Sequence, residues 1–335
     1  MTSRTLRRLI AVAFTASGFS ALAYQVAWQR VLTQVIGSDA ISVVFVVTIF
    51  MICLGIGAEL ARRFLSKSHA PLALIYAAIE ICVGLYGLLS IPLLRTANSW
   101  WATLGPSSVE MDAALNFLLL APPVIGMGMT TPLIIHLARD RIDNLGRTVG
   151  WLYGLNILGA SFGALISGLV LIEALGPRGT ATIAALLNLF IGIALFVVLR
   201  RGGASPKSAP LLEPASVRIW HGLAAIAFGF GTLALQIALF RVVVNYFTMA
   251  TIVFPLVLSA YLLLMAAGQW LGGRLADRYP EGLSAVLATL FASGSLLLLI
   301  AMRLPPEWAA WLGALTFGLV HGFLRQFGAL FLSGK

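Results

Sequence analysis

The chain has 335 residues, of which 60% are hydrophobic and only 10% are charged, against about 25% charged in an ordinary soluble domain. A chain this apolar lacks the polar surface to cover itself in water, which excludes a soluble globular enzyme, a disordered tail and a collagen-like fibre. Its two cysteines, Cys53 and Cys82, both sit in apolar runs and form neither a disulfide framework nor a thiolate metal site, while the net charge of +10 has to be read from where the charges fall.

About 20 apolar residues cross a bilayer as a helix, because in lipid the backbone has to satisfy its own polar groups. The sequence predicts ten such spans: residues 9–28, 40–61, 70–93, 113–137, 148–174, 179–199, 219–240, 250–273, 282–302 and 307–331. The first follows a basic start, Met1 to Arg8, and is longer than a signal-peptide core, so it reads as a span that is kept. Span three carries Glu80 near its middle. The stretch from Arg95 to Met111 is the longest outer loop, and its Trp100-Trp101 pair is expected to lie along the membrane surface. Span four holds Pro122, Pro123 and Pro132 with Gly126 and Gly128, the composition of a kinked or hinged helix. Span five places Asn156, Gly159, Gly163 and Ser167 on nearly one face, where small residues let helices approach closely. Residues 201–217 are a polar linker between six spans and four.

The positive charges set the orientation. With the N-terminus in the cytoplasm, the inside segments hold sixteen Lys and Arg, among them Arg4, Arg7, Arg8, Arg62, Arg63, Lys67 and Arg147; the outside segments hold five. That bias is the positive-inside rule. It accounts for the basic balance without a nucleic-acid partner and puts both termini in the cytoplasm, as in a bacterial inner-membrane protein.

Residues 18–30, GFSALAYQVAWQR, match residues 229–241, GFGTLALQIALFR, at seven of thirteen positions, including Gln25 with Gln236 and Arg30 with Arg241. An even number of spans separates the copies, so both cross in one direction, a parallel repeat about an axis along the membrane normal. The expected fold is therefore all-α: a polytopic membrane helix bundle of about ten transmembrane helices, built as a parallel repeat of two halves (6+4). The first half covers 1–200, the linker 201–217 and the second half 218–335.

GGRLADR, from Gly272 to Arg278, resembles the loop motif of the major facilitator superfamily. That resemblance implies close helix approach at Gly273 and a cytoplasmic pairing role for Asp277 and Arg278. A closer resemblance covers about residues 1–200. GFSALAYQVAWQRVL, FMICLGIGAELARR, IYAAIEICVGLYGLL, PPVIGMGMTTPLI and the run from Leu145 to Gly179 are similar to the membrane half of the fused spermidine-synthase membrane proteins. In that family a soluble aminopropyltransferase domain follows the membrane region. This sequence reaches Lys335 with no strand-rich, glycine-loop nucleotide domain. It also lacks the last two spans of a twelve-helix transporter, so either ten helices suffice or a protein partner completes the second half.

Ionisable groups inside a membrane are costly and often functional. Glu80 is the sharpest case and reads as a proton carrier, a counter-charge for a cation, or a structural carboxyl. Gln25 and Gln236 read as ligand contacts or as glue between helices. Asn156 and Tyr153 on span five read as cavity contacts or as packing, with Gly159 and Gly163 as packing positions. His321 and Arg325 share a face of span ten. No catalytic motif is present, no cofactor or metal site is expected, and the chain is expected not to be an enzyme. Together these features predict a transporter-like protein of major-facilitator type. Glu80 and its neutral contacts Gln25, Gln236, Asn156 and Tyr153 would handle a cationic amine or other small metabolite. The alternative is a non-transporting membrane subunit that docks an enzyme or a larger complex.

Overall fold

A computed structural model describes residues 3–67, 72–106, 108–139, 145–201 and 250–278, and every regular element among them is helical. In chain order these are α1 (Ser3–Ile36), α2 (Asp39–Lys67), α3 (Leu72–Thr103), α4 (Val109–Arg139), α5 (Leu145–Ile166), a π-helical turn (Ser167–Leu171), α6 (Ile172–Arg201) and α7 (Ala250–Arg278). Among the described residues six helices are long and apolar enough to cross a membrane. Large apolar side chains such as Leu118 and Phe190 stand on their outer faces. The protein is an integral membrane protein, as its composition requires. The expected spans seven, nine and ten, residues 202–217 of the linker and the second copy of the repeat lie outside the described residues.

One of the six helices runs from Arg147 to Val198, 52 residues. At 1.5 Å per residue that is roughly 78 Å, more than twice the ~30 Å of a hydrocarbon core. It is broken at Gly176, whose φ of 68° and ψ of 179° leave the helix immediately before Pro177. An L-residue rarely adopts that φ, and proline removes the N–H that would continue the ladder. The break falls between the fifth and sixth expected spans.

Local chemistry sets the other ends. α1 closes on Gly37 (φ 75°), whose N–H bonds the Thr33 carbonyl at 2.9 Å, the usual left-handed stop. Ser38 then opens α2, with its Oγ accepting from Ile41 N at 3.4 Å, and Ser108 opens α4 in the same way through Met111 N. The long outer loop is shorter than the sequence indicates. α3 continues ten residues past its expected end, so Trp100 and Trp101 lie in its last turn instead of in a surface strap. Two contacts explain the extension: Trp101 Nε1 donates to Asp112 Oδ1 at 3.1 Å, and buried Asn98 and Asn116 exchange amide bonds at 2.9 and 3.0 Å. These α3–α4 contacts satisfy polar groups that a hydropathy reading assigns to a loop.

The chain divides into two compact units. Among described residues the first comprises α1–α4, the end of α5 from Phe162, the π turn and α6; the second comprises residues 145–161 of α5 together with α7. Within the first unit α1 packs on α3 and α6, α3 on α4 and α6, and α2 on α4. In lipid there is no hydrophobic drive between helices, so close backbone approach holds them together. At the α2–α4 crossing Gly57 faces Gly128: a Cβ on Gly57 would lie 2.1 Å from the Ile125 carbonyl oxygen, and one on Gly128 2.5 Å from the Leu54 oxygen. At the α3–α6 crossing Gly84 rests on Ala185 and Leu189, and Gly192 on Ala77 and Ile81. Tyr86 donates to the Leu119 carbonyl of α4. That carbonyl is free because its helical partner, four residues on, is Pro123, which has no N–H.

Candidate functional site

The α1–α3 interface carries the polar groups of interest. Ser17, Tyr24 and Trp28 fall on one face of α1, and Tyr76, Glu80, Gly87 and Ser90 on one face of α3, as the helical period requires. The two helices run parallel: Ser17 lies beside Glu80, Tyr24 on Gly87 and Trp28 on Ser90, the same sequence offset to within a residue. Gly87 is needed for the close approach, because a Cβ there would meet Tyr24 Oη at 2.0 Å. Tyr24 stacks on Trp28 with ring centroids 5.1 Å apart and planes at 17°, and Trp28 tilts against Phe50 of α2 at 5.9 Å. Trp28 Nε1 donates to Ser90 Oγ at 3.0 Å, and Ser90 donates to the Gly87 carbonyl at 2.8 Å. At this end of the seam the Trp28 indole N–H and the Ser90 hydroxyl are both hydrogen-bonded.

The inner part is different. Glu80 is 1% exposed, with Tyr24 at 0%, Tyr76 at 1% and Ser17 at 8%. The hydroxyls of Ser17 and Tyr76 lie against its carboxyl, and Tyr24 is within electrostatic reach. Yet Glu80 Oε1, Tyr76 Oη and Tyr24 Oη close no hydrogen bond of good geometry. No lysine, arginine or histidine among the described residues pairs with the carboxylate; the ion pairs seen there join Glu59 to Arg62 and Arg63, at 2.7 Å, near the end of α2. A buried carboxyl with loosely engaged hydroxyls and no counter-ion has free capacity to accept a hydrogen bond, a proton or a cation.

Of the expected site residues, Glu80 alone stands in this seam. Gln25 is buried on α1, a step of about 100° around the helix from Tyr24, and so occupies a different face. Tyr153 and Asn156 are half-buried in the second unit. Gln236, His321 and Arg325 lie outside the described residues. Sequence reasoning missed Ser17, Tyr24, Tyr76, Trp28 and Ser90. The available signal was the four-residue spacing of Tyr76 and Glu80, which puts both on one helix face.

In the second unit three contacts pair α5 with α7 in antiparallel order. Asp277 Oδ2 accepts from Arg147 N at 2.8 Å, Gly154 seats the indole of Trp270, and Ser161 donates to the Ser259 carbonyl at 2.8 Å. Asp277 is therefore a cap for the first turn of α5, where a carboxylate meets free N–H groups and the positive end of the helix dipole. Gly159 and Gly273 are buried, and Arg278 is exposed. Gly163, at the first unit's end of α5, lies on the backbone of Phe19 in α1.

No protein-family model matches the chain. Over 218 residues it is 23% identical to polyamine aminopropyltransferase 1 of Streptomyces coelicolor, covering 64% of this chain and 39% of that protein. Over 205 residues it is 28% identical to polyamine aminopropyltransferase of Corynebacterium efficiens, covering 59% and 37%. The chain thus matches well under half the length of these curated relatives. Among solved structures it is similar to a POT family transporter crystallised with a thioalcohol-conjugated peptide, with a TM-score of 0.50 and 14% identity, covering 98% of this chain and 86% of that one. That likeness is one of fold alone. The relatives correct one expectation. The chain was expected to stand apart from enzymes, and the curated proteins it matches are named as enzymes. The absence of catalytic motifs concerned this sequence alone, while most of each relative's length falls outside the match.

Proposed function

We propose that the protein is a transporter of major-facilitator type in the bacterial cytoplasmic membrane, with both termini in the cytoplasm, that moves a small cationic amine. The carrying observation is Glu80, a buried carboxyl without a basic partner among the described residues, set among hydroxyls in the α1–α3 seam. A permanently structural carboxylate would be expected to keep a counter-ion, since an unpaired buried charge is expensive. The transporter-like fold supports movement of a solute. The relatives' name supports an amine, because a polyamine is the cation that name specifies. On this reading Gln25, Gln236, Asn156 and Tyr153 supply neutral contacts during the transport cycle. Glu80 carries the charge that the transport cycle turns on, by coupling a proton or by neutralising the amine.

The test is uptake of radiolabelled spermidine by proteoliposomes holding the full chain, with and without an imposed pH gradient. Uptake above that of protein-free vesicles, lost at least tenfold in Glu80→Gln, is the expected result. Flux equal to protein-free vesicles under both conditions refutes the reading.

A further inference from the structure

We infer that the cluster of Glu80, Tyr76, Tyr24 and Ser17 is a closed proton-binding site, and that the transported solute binds elsewhere. This deepens the proposed function, and rests on it only in taking Glu80 as the charged residue of the transport cycle. The first ground is closure. All four side chains are at most 8% exposed, and the walls are close-packed helix crossings. From α6, Ala185, Leu189 and Gly192 lie against this stretch of α3, with buried Asn188 on the same face of α6, and from α4 Gly126 lies against Ile79 and Val83. None of these is titratable. Among the described residues, the titratable groups facing the carboxyl are Tyr24 from α1 and Tyr76 from α3 itself. An ammonium on an alkyl chain does not enter such a space without separating the helices; a proton does.

The second ground is donor and acceptor chemistry. A hydroxyl is one donor and two acceptors, and its hydrogen turns freely. Facing an ionised Glu80, the hydroxyls of Ser17 and Tyr76 donate to it. Facing the neutral acid, one of them turns and accepts a hydrogen bond from the carboxyl O–H. The same three side chains satisfy both states without a helix moving. An ammonium, by contrast, brings three donors and needs acceptors fixed around it. The polar atoms without a settled partner, Glu80 Oε1, Tyr76 Oη and Tyr24 Oη, are what a group that alternates between two hydrogen-bond patterns leaves free. In the transfer itself, one O–H bond forms at the carboxyl and one breaks at the donating hydronium or hydroxyl group, with no other change.

The experiment is infrared difference spectroscopy of the full chain in proteoliposomes across a pH titration, with spermidine as probe. A protonated-carboxyl C=O band is expected to grow on acidification, to be absent in Glu80→Gln, and to change frequency in Tyr76→Phe, which keeps the acid and removes one hydroxyl. Tyr76→Phe covers the case in which Glu80→Gln fails to fold. The midpoint is expected to stay fixed across a hundredfold range of spermidine. Competition for one carboxylate would instead lower it by up to about one pH unit per tenfold rise in amine. A midpoint that moves in that way, a band that persists in Glu80→Gln, or no such band at any pH overturns the inference. A Glu80 band with the expected behaviour in a protein that moves no spermidine leaves the proton site standing and removes the transporter reading. Uptake with no Glu80 band does the reverse.

Discussion

The Gly57–Gly128 crossing gives the sharpest test of how this bundle is held. Gly57→Ala places a Cβ 2.1 Å from the Ile125 carbonyl oxygen and close to the Gly128 backbone, where ordinary contact begins near 3.4 Å. The obstacle is main chain on both sides, so no side chain can swing away. α2 and α4 have to part by more than an ångström, and a gap of that size forfeits about half or more of each dispersion contact along the crossing. Overpacking of this kind costs about 1–3 kcal/mol. In a protein of this size that lowers the unfolding midpoint by roughly 1.5–4 °C. Gly128→Ala meets the Leu54 oxygen at 2.5 Å and acts through the same displacement. The double variant is therefore expected to lose clearly less than the sum of the two single losses, the signature of coupled sites.

Cys53 supplies the assay. It is fully buried, whereas Cys82 is exposed. In a Cys82→Ser background, a fluorogenic maleimide added during a temperature ramp in detergent reports exposure of Cys53 on unfolding. Gly55→Ala is the matched control, since nothing lies within 4 Å of its Cβ and alanine is the better helix former. Equal midpoints for Gly57→Ala and Gly55→Ala, or strictly additive losses at 57 and 128, would refute close glycine packing as the basis of the α2–α4 contact.

Other contacts give narrower predictions. Tyr86→Phe strands the Leu119 carbonyl and is expected to cost about 1–3 kcal/mol. In a Pro123→Ala background the helix regains its own N–H, and the same change is expected to cost much less; equal midpoint shifts in both backgrounds refute that account of Tyr86. Asp277→Ala removes the cap of α5 and is expected to cost about 0.5–2 kcal/mol. It should also speed hydrogen exchange at residues 147–150, and unchanged exchange there refutes the capping role. Trp28→Phe keeps the ring stack but drops the bond to Ser90, for a loss of about 1 kcal/mol. Ser90→Ala made on top of Trp28→Phe should then add little, and full additivity between the two by thermal unfolding counts against the bond.

Helix identity was legible because span length and apolarity follow directly from what lipid demands of a backbone. The break at Gly176-Pro177 was legible for a related reason: one residue relaxes φ and the next removes a donor. The α3 extension was not, because hydropathy averages along one stretch of sequence while Asn98, Trp101, Asn116 and Asp112 satisfy each other across two helices. The close glycine pair at 57 and 128 was likewise hidden. Gly128 reads as flexibility beside three prolines until its partner on α2 is known. For the seam, Glu80 was conspicuous as a lone acid, but its setting depends on which residues of α1 face it. Gln25 attracted attention through the repeat, while Ser17 and Tyr24, on the adjoining face, look like ordinary residues of an apolar run.

The positive-inside rule and the isolation of Glu80 have one physical origin. Arg62, Arg63 and Lys67 sit at the end of α2, where each cation can reach water or headgroups. The sequence places Arg7 and Arg8 just ahead of the first apolar run for the same reason. The same rule keeps those cations out of the helix interiors, so an acid placed on α3 at the level of Ser17 meets hydroxyls and no cation among the described residues. Glu59 shows the contrast within the same unit: at the end of α2 an acid acquires two guanidinium partners at 2.7 Å. Two carboxylates of the same chemistry thus divide by depth. The one at the helix end is fixed in a charged pair, and the one inside the bundle has neighbours that accept either of its protonation states. Depth separates the acid that anchors a helix end from the acid that can change its charge.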